Sequence, residues 1–208
     1  MKFKIFTVIL IALFIGTLLL LKSNIIGTNV ATQASNKKIL VAYFSRTGEQ
    51  RNVGNITKGN TAIIGEMIAA KTGADIFEIK VVEDNYPKEY GKFVAYAQKE
   101  KDENVRPDIV GTANIENYDV IFIGYPNWWQ DLPMPVYTFL ESYDFSGKRV
   151  IPFCTHEGSG LVGTEKQLRK IVSTANVESG IGIYGHVAQN NPQEAEKKLD
   201  IWLKDLGF

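Results

Sequence analysis

The chain has 208 residues, and its 23 lysine and arginine side chains balance its 23 aspartate and glutamate side chains, so the formal net charge is zero. No basic run or basic stripe is present, which excludes nucleic acid as an expected partner. A single cysteine, Cys154, excludes an intrachain disulfide and a cysteine-based metal site. Only two histidines occur, and they follow no metal-binding pattern, so no metal site is expected.

The segment 1–26 is typical of a signal peptide or a signal anchor. Two early lysines precede an apolar run over 5–21 that contains no charge. Basic residues of such segments stay in the cytoplasm, so we expect an extracytoplasmic domain whose only membrane contact is this segment. Cleavage with secretion and retention as an anchor both stay open. A polar linker over 27–37 follows, and the domain proper spans 38–208.

Beyond the linker, short apolar runs that predict strands alternate with amphipathic runs that predict helices. In chain order the predicted elements are a strand at 38–44, a helix at 61–71, a strand at 75–79, a helix at 88–103, a strand at 119–124, a helix opened by Pro133, a strand at 149–153, a helix from Thr164, a strand at 181–184 and a helix from Pro192. Thr164 and Gln167 have the spacing of a capping box. Five strands with interposed helices predict an α/β fold with a doubly wound, five-stranded parallel sheet.

Three predicted strands are followed by segments rich in polar, aromatic or glycine residues. These segments are 45–48, 125–130 and 154–160. Because the carboxyl ends of neighbouring parallel strands open on one crevice, we expect the three loops to form one ligand site. The first loop offers hydroxyls and a glycine ahead of a helix, which suits a phosphate. The third is rich in glycine, so its backbone can approach the edge of a ring closely.

The second loop contains Trp128 and Trp129, directly past an apolar strand. A tryptophan pair in this position favours a flat ligand that stacks on it. Packing of both indole rings against helices is the alternative, and the loop alone does not separate the two. A phosphate site, an aromatic pair and a glycine-rich loop together predict a site for flavin mononucleotide (FMN).

Five segments resemble the flavodoxin family, and together they span nearly the whole of 38–208. They are VAYFSRTG (41–48), GYPNWW (124–129), LPMPV (132–136), FLESYDFSGK (139–148) and FCTHEGSG (153–160). The resemblance implies the short-chain, five-stranded flavodoxin-like fold, noncovalently bound FMN and a redox function.

The resemblance also implies which residues bind the cofactor. The first loop would hold the FMN phosphate, the second would flank the isoalloxazine ring, and the third would contact the pyrimidine side of that ring. The expected FMN-binding residues are Ser45, Arg46, Thr47, Gly48, Asn60, Thr61, Pro126, Asn127, Trp128, Trp129, Thr155, His156, Glu157, Gly158 and Gly160.

An insertion over 49–59 separates the first loop from the helix start at Asn60. Such βα loops normally have roughly 2–6 residues, so this one calls for an explanation. We expect it to fold out as a flap, so that Asn60 and Thr61 still cap the helix and complete the phosphate site. Arg46, Arg51 and Lys58 would then add positive charge near the phosphate. A solvated loop without a role, the usual fate of a surface insertion, is the alternative.

Two side chains of the third loop carry reactive groups. His156 either donates a hydrogen bond to the flavin, which would couple protonation to reduction, or lies in water. Cys154 follows a core strand and is expected to be a small buried hydrophobe rather than a reactive thiol. No catalytic residue is assigned.

Two functions are consistent with an FMN site on this chain. The first is an electron-transfer protein whose partner protein or small acceptor meets the exposed ring edge. The second is an FMN-dependent NAD(P)H oxidoreductase that acts on quinones or similar small acceptors. The cofactor supplies the chemistry in both cases. A non-redox scaffold is disfavoured because all three loops are retained.

Overall fold

The computed structural model describes residues 37–208. The predicted signal segment and nearly all of the predicted linker lie outside the described residues. Within 37–208, no helix combines the length and the apolar character that a membrane crossing requires.

The five predicted strands and the five predicted helices are present. The strands are β1 (Ile39–Phe44), β2 (Gly48–Gln50), β3 (Gly54–Ile56), β4 (Asp75–Ile79), β5 (Val120–Pro126), β6 (Arg149–His156), β7 (Asn176–Val177) and β8 (Ile181–Tyr184). The helices are α1 (Asn60–Thr72), α2 (Tyr90–Asp102), α3 (Met134–Glu141), α4 (Thr164–Ile171), α5 (Gly185–Asn190) and α6 (Pro192–Asp205), with a short 3₁₀ turn at Ile115–Asn117. Of these elements, the strands β2, β3 and β7 and the helix α5 are additional to the predicted ones.

Six strands form one parallel sheet, and this confirms the predicted α/β fold. The order is β4-β1-β5-β6, and both β7 and β8 pair with β6. The two-residue strand β7 pairs with the start of β6, whereas β8 pairs with its end. They therefore share the fifth position of the sheet, which the sequence had assigned to 181–184 alone.

Helices cover both faces of the sheet, so the central strands are buried on both sides. In β1, Leu40, Ala42 and Phe44 belong to the core under α2, α3 and α4. The intervening Val41 and Tyr43 belong to the core under α1, α5 and α6. Because both faces are covered, such strands are continuous apolar runs rather than alternating ones.

Strands β5 and β6 extend further than predicted. β6 continues through Cys154, Thr155 and His156, which the sequence had placed in a loop. The placement was wrong because β5 pairs with β6 as far as Thr155, and β8 pairs with it as far as His156. The start of the third predicted loop is consequently held by ladder hydrogen bonds on both sides.

The predicted capping box at Thr164 is also wrong. Gly163, with φ of 82°, is the N-cap of α4, and Thr164 is the first helical residue. The Thr164 hydroxyl donates to the carbonyl of Leu161 at 2.8 Å and accepts from the Tyr125 hydroxyl at 3.0 Å. Leu161 and Tyr125 thus engage the hydroxyl that a capping box would use. The sequence pattern does not reveal either contact.

Burial in the core predicts how strongly two isoleucine substitutions change the free energy of unfolding. Ile151, fully buried in the middle of β6, should lose about 2–5 kcal/mol of unfolding free energy on substitution by alanine, because the change removes a side chain from a packed core. Ile201 on α6 is 66% exposed, so Ile201→Ala should change that free energy by no more than about 0.5 kcal/mol. Urea unfolding followed by circular dichroism measures both; equal losses would contradict the described core.

Candidate functional site

A cavity of about 390 Å³ lies at the carboxyl-terminal edge of β1, β5 and β6, within the size range of small-molecule sites. The expected residues that line it are Ser45, Arg46, Asn60, Thr61, Pro126, Asn127, Trp128, Trp129, Thr155, His156 and Glu157. Thr47, Gly48, Gly158 and Gly160 are not among the residues that line it. The three loops nevertheless meet around one space, as their positions after neighbouring strands predict.

The first loop packs tightly onto the start of α1. The Ser45 hydroxyl accepts a hydrogen bond from the Ala62 N–H at 3.0 Å. Gly59, the N-cap of α1, permits this contact, because a Cβ there would lie 2.1 Å from Ser45 Oγ. Within 37–208 the N–H groups of Asn60 and Thr61 have no hydrogen-bond partner. Such first-turn donors carry partial positive charge and attract anions.

Arg46 is a structural residue of the first loop. Its guanidinium donates to the carbonyls of Glu49 at 2.7 Å, Pro87 at 2.5 Å and Lys88 at 3.0 Å. It also stacks over the Phe93 ring, 3.9 Å from the centroid. Nη1 and Nη2 make these hydrogen bonds and tie the first loop to the segment that precedes α2, whereas the buried Nε has no hydrogen-bond partner within 37–208.

Gly48 has a packing role in the same region. Its φ is 90°, and a Cβ there would approach the Lys88 carbonyl oxygen to 3.0 Å. The Thr47 hydroxyl accepts a long hydrogen bond of 3.4 Å from the Lys88 ammonium group. Both residues therefore face the chain ahead of α2 rather than the cavity.

The insertion forms a β-hairpin, β2–β3, that is tied down at both ends. At its base, the Glu49 N–H donates to the Lys88 carbonyl at 2.8 Å, and the Glu49 carboxylate accepts from the Tyr90 N–H at 2.8 Å. At its tip, the Asn52 amide donates to the Glu157 carboxylate at 3.1 Å. The hairpin thus spans the cavity from the start of α2 to the third loop.

The two tryptophans occupy different environments. Trp128 makes edge-to-face contacts with Phe44, Tyr86 and Phe93 at centroid distances of 5.3, 5.5 and 4.7 Å. Trp129 is 47% exposed, and its indole N–H donates to the Val94 carbonyl at 3.2 Å. Trp128 is therefore part of the core that also borders the cavity, whereas Trp129 lies at the cavity rim.

A tight turn positions the Trp129 ring. Trp128 and Asp131 exchange two backbone hydrogen bonds, of 3.2 and 3.0 Å, around a two-residue turn. Both central residues, Trp129 and Gln130, are left-handed, with φ of 55° and 58°, as a type I′ turn requires. The Lys101 ammonium group donates to the Trp129 carbonyl at 2.8 Å, which fastens the turn to α2.

Asn127 carries a buried polar atom without a partner. Its amide nitrogen donates to the Gly160 carbonyl at 2.7 Å, and its backbone N–H donates to the Thr155 carbonyl at 2.9 Å. Its side-chain oxygen Oδ1 is buried, and no group within 37–208 donates to it. A buried acceptor that lines a cavity and lacks a donor suits a ligand N–H.

His156 shapes the third loop. Its Nδ1 accepts a hydrogen bond from the Gly158 N–H at 3.0 Å, so this nitrogen carries no proton. Burial lowers the pKa of His156 from its usual value of 6.5, and this outweighs the opposite influence of Glu157. A neutral, buried ring that accepts from the loop backbone is neither a solvated histidine nor a group with a free Nδ1–H.

Glu157 and Cys154 also have protein partners. The Glu157 carboxylate accepts from the His186 N–H at 2.8 Å and pairs with His186 Nδ1 at 2.8 Å. The Cys154 thiol is fully buried and donates to the Gly160 carbonyl at 3.2 Å. Burial raises the pKa of the Cys154 thiol far above its usual value, so it remains protonated. Within 37–208, no cluster of histidine, cysteine and acidic side chains is placed to hold a metal ion.

Eight further residues line the cavity that were not among the expected FMN-binding residues. They are Gln50, Arg51, Tyr90, Phe93, Val94, Ala97, Gln130 and Ser159. Four of these form the apolar face of α2, at the spacing i, i+3, i+4 and i+7. That face was visible in the sequence, but the same pattern serves a core and a cavity wall equally well.

The sequence model of the flavodoxin family matches residues 38–199. The chain belongs to the flavodoxin family. A comparison with curated proteins gives no match.

Solved structures from several bacteria resemble the flavodoxin domain. A candidate flavoprotein from Bacteroides eggerthii is 30% identical with a TM-score of 0.62, and the alignment covers 79% of this chain and 97% of that one. A similar protein from Bacteroides uniformis is 28% identical with a TM-score of 0.63, covering 79% and 98%. A Lactobacillus acidophilus flavoprotein in complex with FMN shares the fold at 22% identity with a TM-score of 0.56, covering 74% and 97%.

The burial of His156 predicts how the stability of the protein depends on pH. Its pKa is lower in the folded protein than in the unfolded chain, so unfolding takes up a proton below about pH 6.5. Stability should therefore fall as the pH decreases through that value, and His156→Gln should have a flatter dependence. Urea unfolding between about pH 5 and 7.5 measures the difference. Parallel curves for the two proteins would contradict the buried, neutral imidazole.

Proposed function

We propose that the domain binds FMN noncovalently and transfers electrons between the flavin and a redox partner. The observation that carries this proposal is the convergence of three complementary features on one cavity. These are the free N–H groups at the start of α1, an aromatic wall and the unsatisfied oxygen of Asn127. Membership of the flavodoxin family and the FMN complex of a protein with the same fold support it.

Each feature fits a different part of FMN. The N–H groups of Asn60 and Thr61 would bind phosphate oxygens. Trp128 and Trp129 would border the isoalloxazine ring, and Asn127 Oδ1 would accept a hydrogen bond from a ring N–H. Bound FMN supplies the reversible uptake and release of electrons, and the protein orients it and excludes water.

An FMN-dependent reductase is a second candidate, and one observation favours it. The apolar face of α2 and the β2–β3 hairpin add walls to the cavity within a single chain. A reductase needs such walls to hold a second substrate, whereas a carrier needs little beyond the flavin crevice. Steady-state oxidation of NAD(P)H with quinones separates the two, because rapid turnover without an added reductase supports the enzyme.

We also propose that the protein acts outside the cytoplasm. The proposal rests on the early lysines and the apolar run over 5–21. Fractionation of expressing cells and the mass of the mature chain test it. A cytoplasmic, full-length, soluble product would contradict export, and the mass distinguishes a cleaved signal peptide from a retained anchor.

Noncovalent binding of FMN is directly testable. The full chain, purified in detergent, should release FMN on acid denaturation, and the apoprotein should take it up again. Chromatography of the released cofactor and quenching of flavin fluorescence measure both steps. Folded protein that retains no flavin after incubation with excess FMN would contradict the proposal.

The tryptophan at the cavity rim should contribute to affinity. Trp129→Ala should weaken FMN binding by on the order of tenfold, because an aromatic pair is worth about 0.5–1.5 kcal/mol beyond the buried area. Trp202 is a matched control, since it packs on Phe122 on the other face of the sheet and does not line the cavity. Fluorescence titration gives each Kd; equal values for the two variants would show that Trp129 does not contact the flavin.

A further inference from the structure

The β2–β3 hairpin contributes one arginine to the cavity. Arg51 lies in the turn of the hairpin and lines the cavity. The next residue, Asn52, donates to the Glu157 carboxylate. That carboxylate and the Asn60 amide both lie close to Gly185, where a Cβ would approach them to 2.9 and 2.3 Å. The hairpin turn is thereby held on the side of the cavity where α1 begins.

Arg51 differs in its contacts from Arg46 and Lys58, the other two cations that were expected near the phosphate. In the Arg46 guanidinium, Nη1 and Nη2 donate to three carbonyls, and only Nε has no partner within 37–208. Lys58 pairs with Glu66 and does not line the cavity. Within 37–208, the Arg51 side chain forms no ion pair, and no hydrogen bond holds it.

The two acidic groups beside the hairpin accept hydrogen bonds from residues other than Arg51. The Glu157 carboxylate accepts hydrogen bonds from Asn52 and from His186. The Glu49 carboxylate accepts from the Tyr90 N–H at the start of α2. An anion in the cavity would thus meet the free N–H groups of α1, and Arg51 is the cavity cation with none of its guanidinium donors engaged within 37–208.

We infer that Arg51 binds the phosphate of the cofactor and makes the site select FMN over riboflavin. The inference rests on the proposed function, since it assigns one residue of that site to one group of FMN. A guanidinium forms charge-assisted, bidentate hydrogen bonds with phosphate, which neutral helix-terminal donors cannot supply. The insertion then strengthens the phosphate site rather than serving only as a cover.

Comparison of FMN with riboflavin tests the inference, because riboflavin lacks only the phosphate. In the full chain purified in detergent, Arg51→Ala should raise the Kd for FMN about tenfold and leave the Kd for riboflavin unchanged. Arg51→Lys should restore part of the affinity. The wild-type Kd for FMN should rise with ionic strength more steeply than that of Arg51→Ala, because salt screens the lost interaction.

Two further variants serve as controls in the same fluorescence titration. Lys58→Ala removes one positive charge from the same insertion but outside the cavity, so both Kd values should stay at wild-type levels. Asn127→Ala removes an acceptor for the ring, so it should weaken FMN and riboflavin by the same factor.

The outcomes separate this inference from the proposed function. An unchanged Kd for FMN in Arg51→Ala, or an equal loss for FMN and riboflavin, would overturn the role of Arg51 while leaving the flavin site intact. Wild-type protein that binds riboflavin as tightly as FMN would also overturn it. Folded wild-type protein that binds neither ligand would instead overturn the proposed function.

Discussion

The parallel pairing of β1, β5 and β6 is the constraint on which the rest of the site depends. These strands are neighbours in space but are separated by long stretches of sequence. Their register places Tyr43 opposite Gly124, and Pro126 opposite Thr155. Gly124 is required for this arrangement, because a Cβ there would lie 2.1 Å from the Phe153 ring. Once the strands are aligned, the chain that follows each of them must leave the sheet at the same edge.

Hydrogen bonds between the loops then fix the shape of the cavity. The hydroxyls of Thr61 and Thr155 lie 2.8 Å apart, which connects the start of α1 to the end of β6. Asn127 bonds to the carbonyls of both Thr155 and Gly160, so the second loop is held against the third. Contacts of this kind orient the binding groups before a ligand arrives, which lowers the entropic cost of binding.

The tryptophan loop shows how neighbouring elements maintain a locally unfavourable backbone. Left-handed conformations at two non-glycine residues, Trp129 and Gln130, cost of order 1–3 kcal/mol each. The turn persists because Lys101 and the Val94 carbonyl hold it from α2, while the Trp128 ring is enclosed by aromatic side chains. The turn thereby places the Trp129 indole at the cavity rim, where its N–H donates to the Val94 carbonyl.

Local patterns in the sequence predicted five strands, five helices, the parallel sheet and the three loops that meet at its edge, because periodicity and turn chemistry depend on residues close in the chain. They did not predict the hairpin β2–β3, the short strand β7 or the helix α5. The resemblance to family motifs indicated that the ligand of this site is FMN. Tertiary structure alone decided that Arg46 binds carbonyls of the chain ahead of α2, that His156 accepts from its own loop, and that the apolar face of α2 borders the cavity. An apolar face is equally suited to a core and to a ligand. The partner of a hydrogen-bond donor is set by groups that lie far away in sequence, and only the folded chain brings them together.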